Sequence, residues 1–183
     1  MSMESIRDMG DMESSPDMHH FYESNSLSGT GKESWFREIY DLYADNVYRL
    51  CFSYMKNEMD AEDVMQDTFF KLYKQGPFIQ EKEEAKAWLL VAASNECKNL
   101  LKHWWRKHQD ITDYAELIGK EDEKRIELFE LLMGLPVKYK TVVYLYYYEG
   151  YNSRQISEML RKPESTVRTH LQKAKAILKK ELS

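Results

Sequence analysis

The stretch Gly150–Lys180, GYNSRQISEMLRKPESTVRTHLQKAKAILKK, decides the reading of this chain: two short helices joined by a tight turn, the second of them basic. Asn152 is placed to accept a hydrogen bond from the free backbone N–H groups of a starting helix. Gln155 can reach back from three residues later, and Tyr151 can pack on Ile156. Ile156, Met159 and Leu160 fall on one helical face, and the pattern stops after Leu160. Arg161-Lys162-Pro163 follows, where proline cannot continue a helix but suits a first turn, so a second helix is predicted to begin near Pro163. Its apolar residues Val167, Leu171, Ala174 and Leu178 recur at four, three and four, while Ser165, Arg168, Thr169, Gln172 and Lys173 turn to the opposite side.

That is the pattern of a helix-turn-helix, whose second helix fits a DNA major groove. Arg168 could read a guanine bidentately, for roughly 1–3 kcal/mol of discrimination. The other reading is a solvated amphipathic C-terminal helix. Eight Lys/Arg against three acids between Gly150 and Ser183 favour DNA.

The net charge of −5 over 183 residues looks wrong for a DNA binder until it is divided. Residues 1–34 hold Arg7 and Lys32 against seven acids, which leaves residues 35–183 balanced at 24 against 24. Within that body the charges are segregated. Lys98 to His108 holds Lys98, Lys102, Arg106 and Lys107 and no acid, whereas Asp110 to Glu130 holds eight acids against three bases. Non-specific affinity follows the number of phosphates neutralised, so such a chain should bind DNA weakly alone and rely on a carrier.

Seven glycines, four prolines and long apolar-periodic runs predict an all-α fold of two small helical domains, with no convincing strand. Residues 1–33 read as an acidic, disordered tail, 34–109 as the first domain, 110–124 as an acidic linker and 125–183 as the second domain. Cys51 and Cys97 lack a metal or redox spacing and read as reduced core thiols. His19-His20 stands without further ligands, so no metal and no cofactor is expected. No signal peptide or apolar run of about 20 residues occurs, which points to a cytoplasmic protein without membrane insertion.

In the first domain, Trp35 to Tyr54 supplies a core helix ending near Lys56-Asn57. Asp60 is read as the cap of the next, in which Ala61, Val64, Met65, Thr68, Phe69, Leu72 and Tyr73 form the buried stripe. Opposite them lie Glu62, Asp63, Gln66, Asp67 and Phe70. An aromatic among carboxylates suits docking on a basic partner with an apolar pocket; a single stray surface Phe is the alternative. After Gly76-Pro77, Glu84 to Lys102 places Leu89, Ala92, Ala93, Cys97 and Leu100 inward. Val91, Asn95, Lys98 and Lys102 lie outward with Asn99 at the edge, suited to base edges and phosphates or simply to solvent. Trp104 and Trp105 either stack on unpaired bases or cap the core. Leu128, Leu131 and Leu132 mark a helix up to Gly134-Leu135-Pro136. Lys138 to Glu149, with Val142, Val143, Leu145 and Tyr146 inward, supports the helix-turn-helix. No phosphate-cradling Gly-rich loop, HExxH or nucleophile elbow occurs, so no enzyme and no small-molecule substrate is expected.

Three blocks in order, DAEDVMQDTFFKLYK, AWLLVAASNECKNLL and LPVKYKTVVYLYYYEGYNSRQISEMLRKPESTVRTHLQKAKAIL, resemble the extracytoplasmic function (ECF, group IV) branch of the bacterial sigma-70 family over Trp35 to Ser183. The resemblance implies sigma2 and sigma4 domains in a factor that directs core RNA polymerase to promoters and opens them. It implies that the Asp60–Lys74 helix docks on the β′ clamp helices, with further contacts to the β subunit. Asn95, Lys98, Asn99 and Lys102 would contact the −10 element, and Ser165, Thr166, Arg168, Thr169, Gln172 and Lys173 the −35 element. An anti-sigma factor is a further candidate partner. Arg161 stands where the family commonly has glycine, so the turn either holds a left-handed residue at a cost of order 1 kcal/mol or adopts another geometry. Ser165 replaces a second family glycine, Val91 stands where a basic residue is frequent, and the acidic tail is outside the pattern. Two rival functions are a free-standing helix-turn-helix regulator that binds duplex DNA as a dimer, and an adaptor whose C-terminal helices bind protein.

Overall fold

A computed structural model describes residues 29–75, 79, 81–104 and 123–181. The tail through residue 28, Gly76-Pro77, Trp105 and nearly all of the acidic linker lie outside the described residues, as do the side chain of Trp104 and the His19-His20 pair. Among the described residues every regular element is helical: α1 (Gly29–Met55), α2 (Glu58–Gln75), α3 (Lys82–Trp104), α4 (Glu123–Gly134), α5 (Val137–Val143), a π-helical turn (Tyr144–Tyr148), α6 (Ser153–Leu160) and α7 (Glu164–Glu181).

α1 is built on Ile39, Tyr43, Val47, Leu50 and Tyr54, spaced by four, four, three and four, and all are buried. It begins at Gly29, ahead of the residue-34 domain start read from the sequence, and Lys32 Nζ sits 4.8 Å from the centre of the Tyr73 ring. Lys56, left-handed at φ 61°, turns the chain into α2. Asn57, not Asp60, caps α2: Asp60 N–H donates to Asn57 Oδ1 at 2.8 Å, and Asn57 Nδ2 donates to Asp60 Oδ2 at 2.7 Å. Asp60 is the reciprocal member of that cap, so α2 starts three residues earlier than the sequence suggests.

The intended stripe of α2 is buried, with Tyr73 half-buried, and packs on α1 and α3. α3 is enclosed on most sides, with Ala85, Ala87, Leu89, Leu90, Val91, Ala93, Ser94 and Cys97 all buried. Two readings are corrected here. Val91, read as outward, is only 7% exposed, and Leu100, read as inward, is exposed. The reason is that α3 packs on α1 and α2 and also receives α5 and α6 of the second half. A helix with a second packed flank buries a stripe that single-face periodicity assigns to solvent.

Cys51 and Cys97, distant in sequence, meet in the core between α1 and α3, both as free thiols. The Cys51 thiol is pushed far up by its hydrogen bond with Cys97 first and by burial second.

The second half wraps α4, α5, α6 and α7 around Leu132, Leu135, Tyr139, Val142, Leu145, Ile156, Met159, Val167 and Ala174. The helix read as continuous from Lys138 to Glu149 widens at Tyr144, where Glu149 N–H reaches the Tyr144 carbonyl five residues back at 3.2 Å. That slip in register puts Tyr146 and Tyr147 on the surface as a T-shaped pair, correcting the inward placement of Tyr146. Tyr148 stacks on Tyr144 at 5.1 Å and packs edge-on to Phe129.

Candidate nucleic-acid interface

The helix-turn-helix is assembled by short-range chemistry. Asn152 Oδ1 accepts from Gln155 N–H at 3.0 Å while Asn152 N–H donates to Gln155 Oε1 at 2.9 Å, a complete capping box at the start of α6. At its end Arg161 adopts the left-handed conformation, φ 50° and ψ 45°, so the turn keeps the geometry that glycine usually supplies. Lys162 N–H closes the turn on the Ser157 carbonyl at 3.0 Å. The Pro163 carbonyl then accepts from Thr166 and Val167, starting α7 one residue after the proline. Glu164 ties the two helices together, its Oε1 accepting from Ser153 Oγ and from Arg168 Nη2, each at 2.7 Å. Those bonds, Ser153 first, hold the Glu164 carboxyl below its ordinary pKa and aim the Arg168 guanidinium.

With Val167 and Ala174 buried beneath, Ser165, Arg168, Thr169, Gln172 and Lys173 face outward, and Thr166 is half-buried. α7 does not stand alone. Lys138 and Tyr139 of α5 face Ser165, Thr166, Thr169, His170 and Lys173 across a cleft of about 230 Å³. His170 lies edge-on to the Tyr139 ring at 5.3 Å, and its Nδ1 is buried with no protein partner. Burial first, and then Lys162, Lys138 and Lys173, lower its pKa, so the imidazole is neutral at pH 7 in a strongly positive field. Lys138 and His170 were absent from the sequence-derived set. Lys138 sits on a supporting helix that reading assigned only to packing, and no spacing distinguishes His170 from the chain's other histidines.

On α3, Asn95, Asn99 and Lys102 are exposed. Lys98 is only half-exposed, 3.4 Å from Ser94 Oγ, and its pKa is pushed down to about 8 by burial and then by the charge of Lys162. The structure therefore brings the α3 set and the helix-turn-helix to one another's edge. On α2, Glu62, Asp63, Gln66, Asp67 and Phe70 share an exposed face, with Phe70 59% accessible and Lys74 Nζ 5.5 Å from its ring centre. Met59, 74% accessible and three turns earlier on the same side, completes that face and was missed because it precedes the cap read at Asp60. No described helix is long and apolar enough to cross a membrane.

Comparison with known proteins places the chain in a family. The model of sigma-70 region 2 matches residues 39–108, and that of sigma-70 region 4 matches residues 125–178. The ECF RNA polymerase sigma factor SigW of Bacillus subtilis (strain 168) is 27% identical over 173 residues, covering 83% of this chain and 91% of that protein. SigM of the same organism is 29% identical over 154 residues, 78% of this chain and 91% of that protein. The sigma factor RpoE from Bartonella quintana, solved with the anti-sigma factor NepR, aligns with a TM-score of 0.65 at 17% identity over 80% of this chain and 96% of that one. CnrH, solved with the cytosolic domain of CnrY, aligns with a TM-score of 0.60 at 19% identity over 84% of this chain and 90% of that one. The chain belongs to the sigma-70 family, in its ECF branch, as a factor that directs transcription initiation.

Proposed function

We propose that the labour of initiation is divided among three faces of this chain. α7 reads the −35 element through Ser165, Thr166, Arg168, Thr169, Gln172 and Lys173, with Lys138 holding a flanking phosphate. α3 captures the −10 element through Asn95, Lys98, Asn99 and Lys102. The α2 face of Met59, Glu62, Asp63, Gln66, Asp67 and Phe70 docks on core RNA polymerase. The two domains correspond to residues 34–109 and 125–183, extended at the front by the start of α1.

The observation that carries this reading is the α6–α7 unit. A capped, closed turn presents five exposed polar and basic side chains beside a cleft flanked by Lys138 and Lys173. The −10 helix and the docking face are supported by exposure at the expected positions on α3 and α2. Because residues 35–183 carry no net charge, DNA affinity is borrowed from polymerase, and the factor performs no covalent chemistry. It works in the cytoplasm, where polymerase and promoters are. An anti-sigma factor is a natural regulator, since RpoE of the comparison was solved with one.

Purified chain, core polymerase and promoter DNA test the assignment together. Arg168→Ala should weaken −35 recognition by roughly 5- to 150-fold, the equivalent of about 1–3 kcal/mol, and leave core binding intact. Phe70→Ala should do the reverse. Loss of core binding in Arg168→Ala, or tight sequence-specific duplex binding by the chain without polymerase, would overturn the division.

A further inference from the structure

We infer that the cleft between α5 and α7 is a phosphate site in which His170 gains a proton as the DNA backbone enters, so that −35 binding takes up a hydrogen ion. The inference rests on the proposed role of α7.

The walls of the cleft suit an anion. Lys138 lines it from α5 and Lys173 from α7, the hydroxyls of Ser165 and Thr166 add neutral donors, and no carboxylate is among its lining residues. Its volume is about 230 Å³. At ~30 Å³ for a water molecule, that is room for several waters or for one phosphate group. Lys138 Nζ lies 4.9 Å from the centre of the Tyr139 ring, which holds one cation beside the cleft. The acid at the start of α7, Glu164, is taken up by Ser153 and Arg168 and does not compete for these cations. Position favours DNA over another polyanion. Ser165, Thr169 and Lys173 belong both to the cleft and to the outward face of α7, so a helix seated in a major groove brings the flanking strand against α5.

His170 is the group this arrangement leaves unfinished. Its ring packs edge-on to Tyr139 at 5.3 Å, and Nδ1 is enclosed with no protein partner. Lys138 acts on it from α5, Lys162 from the turn beyond α6 and Lys173 from α7 itself; burial first and then these three cations hold its pKa below 6.5. The free site therefore keeps the ring neutral, because an imidazolium there has neither a counter-charge nor an acceptor. A phosphate oxygen in the cleft supplies both. An opposite charge within about 4–6 Å favours the protonated form, so the DNA-bound state binds more protons than the free one. The sign follows: affinity rises as pH falls through the bound-state pKa and levels off below the free-state pKa.

Holoenzyme and promoter DNA at constant ionic strength test this between about pH 6 and 8. Wild-type affinity should rise by up to about tenfold per pH unit as pH falls, the slope of one proton taken up. His170→Gln, which keeps a hydrogen-bonding side chain but cannot charge, should still bind and should lose that increment. A second measurement needs no variant. The His170 imidazole, followed by NMR in the full chain at low salt, should titrate about one pH unit or more higher with saturating promoter duplex than without it. The same pH slope in wild type and His170→Gln, or an imidazole unmoved by duplex, would overturn the inference. A rise with inorganic phosphate or oligoglutamate and none with duplex would also overturn it, by making the cleft a site for free anions or an acidic protein. Arg168→Ala separates the two proposals. If it leaves −35 affinity unchanged, the α7 reading falls and takes this inference with it; if it weakens −35 affinity while His170→Gln keeps the wild-type pH slope, only the proton uptake falls.

Discussion

Arg161 holds a left-handed conformation that costs a residue other than glycine of order 1 kcal/mol, and the α6–α7 turn is kept nonetheless because its neighbours over-determine it. The Asn152–Gln155 box seats the front of α6, Lys162 closes on Ser157 behind it, and Glu164 clasps Ser153 across the turn. Asn152→Ala should therefore cost about 1 kcal/mol, seen as a lowered thermal midpoint with the −35 contacts of the folded fraction unchanged; an unaltered midpoint would show the box to be idle. The same box and the outward set on α7 were legible in the sequence, because capping and helical periodicity act within a few residues. The clasp of Glu164 on Ser153 was not, since those two become neighbours only after the turn has folded, whereas Arg168 lies one helical turn along from Glu164.

Among the elements, α2 kept its sequence reading best. One face contacts two helices and the other is free, so a single period describes it. α3 and the π turn departed from theirs for opposite reasons: α3 has more than one packed flank, and the π turn changes the period itself, carrying Tyr146 to the surface. The α1–α3 packing also produced the Cys51–Cys97 pair, whose thiols share a hydrogen bond in a site closed to water. Cys51 is held protonated by Cys97 and by burial, and both sulfurs are enclosed by the core, out of reach of a reagent in solution. A thiol-titrating disulfide reagent should find essentially no reactive cysteine in the native chain and both after unfolding. Rapid native reaction would mean that α1 and α3 part more readily than their packing implies.

At the scale of the whole molecule, the packing of α5 and α6 on the first half, or closure, carries a pH dependence whose sign follows from two bases, Lys140 buried and Lys98 half-buried. Lys140, facing Lys56 and Tyr54 of the α1 end and Cys97 of α3, is pushed down to about 7 by burial first and Lys56 second. Lys98, facing Lys162, Lys102 and Cys97, is pushed down to about 8. Both return toward the ordinary value of 10.5 as they are exposed, so between those limits the open form binds more protons than the closed one. Closure should strengthen as pH rises from about 7 toward 10 and be insensitive to these groups below about 7. Fluorescence transfer between dyes on the two halves would register the trend, and a weakening of closure over that range would contradict it. Helix positions, the cap, the turn and the basic face of α7 were written in the sequence alone, because each depends on residues three to eleven apart. The burial of Val91, the meeting of Cys51 with Cys97, and the hydrogen bonds of Lys140 to the Ser53 carbonyl and of Glu149 to Asn46 were decided only by tertiary structure: they join residues some 40 to 100 positions apart, and no local period records which distant helix will cover a given face.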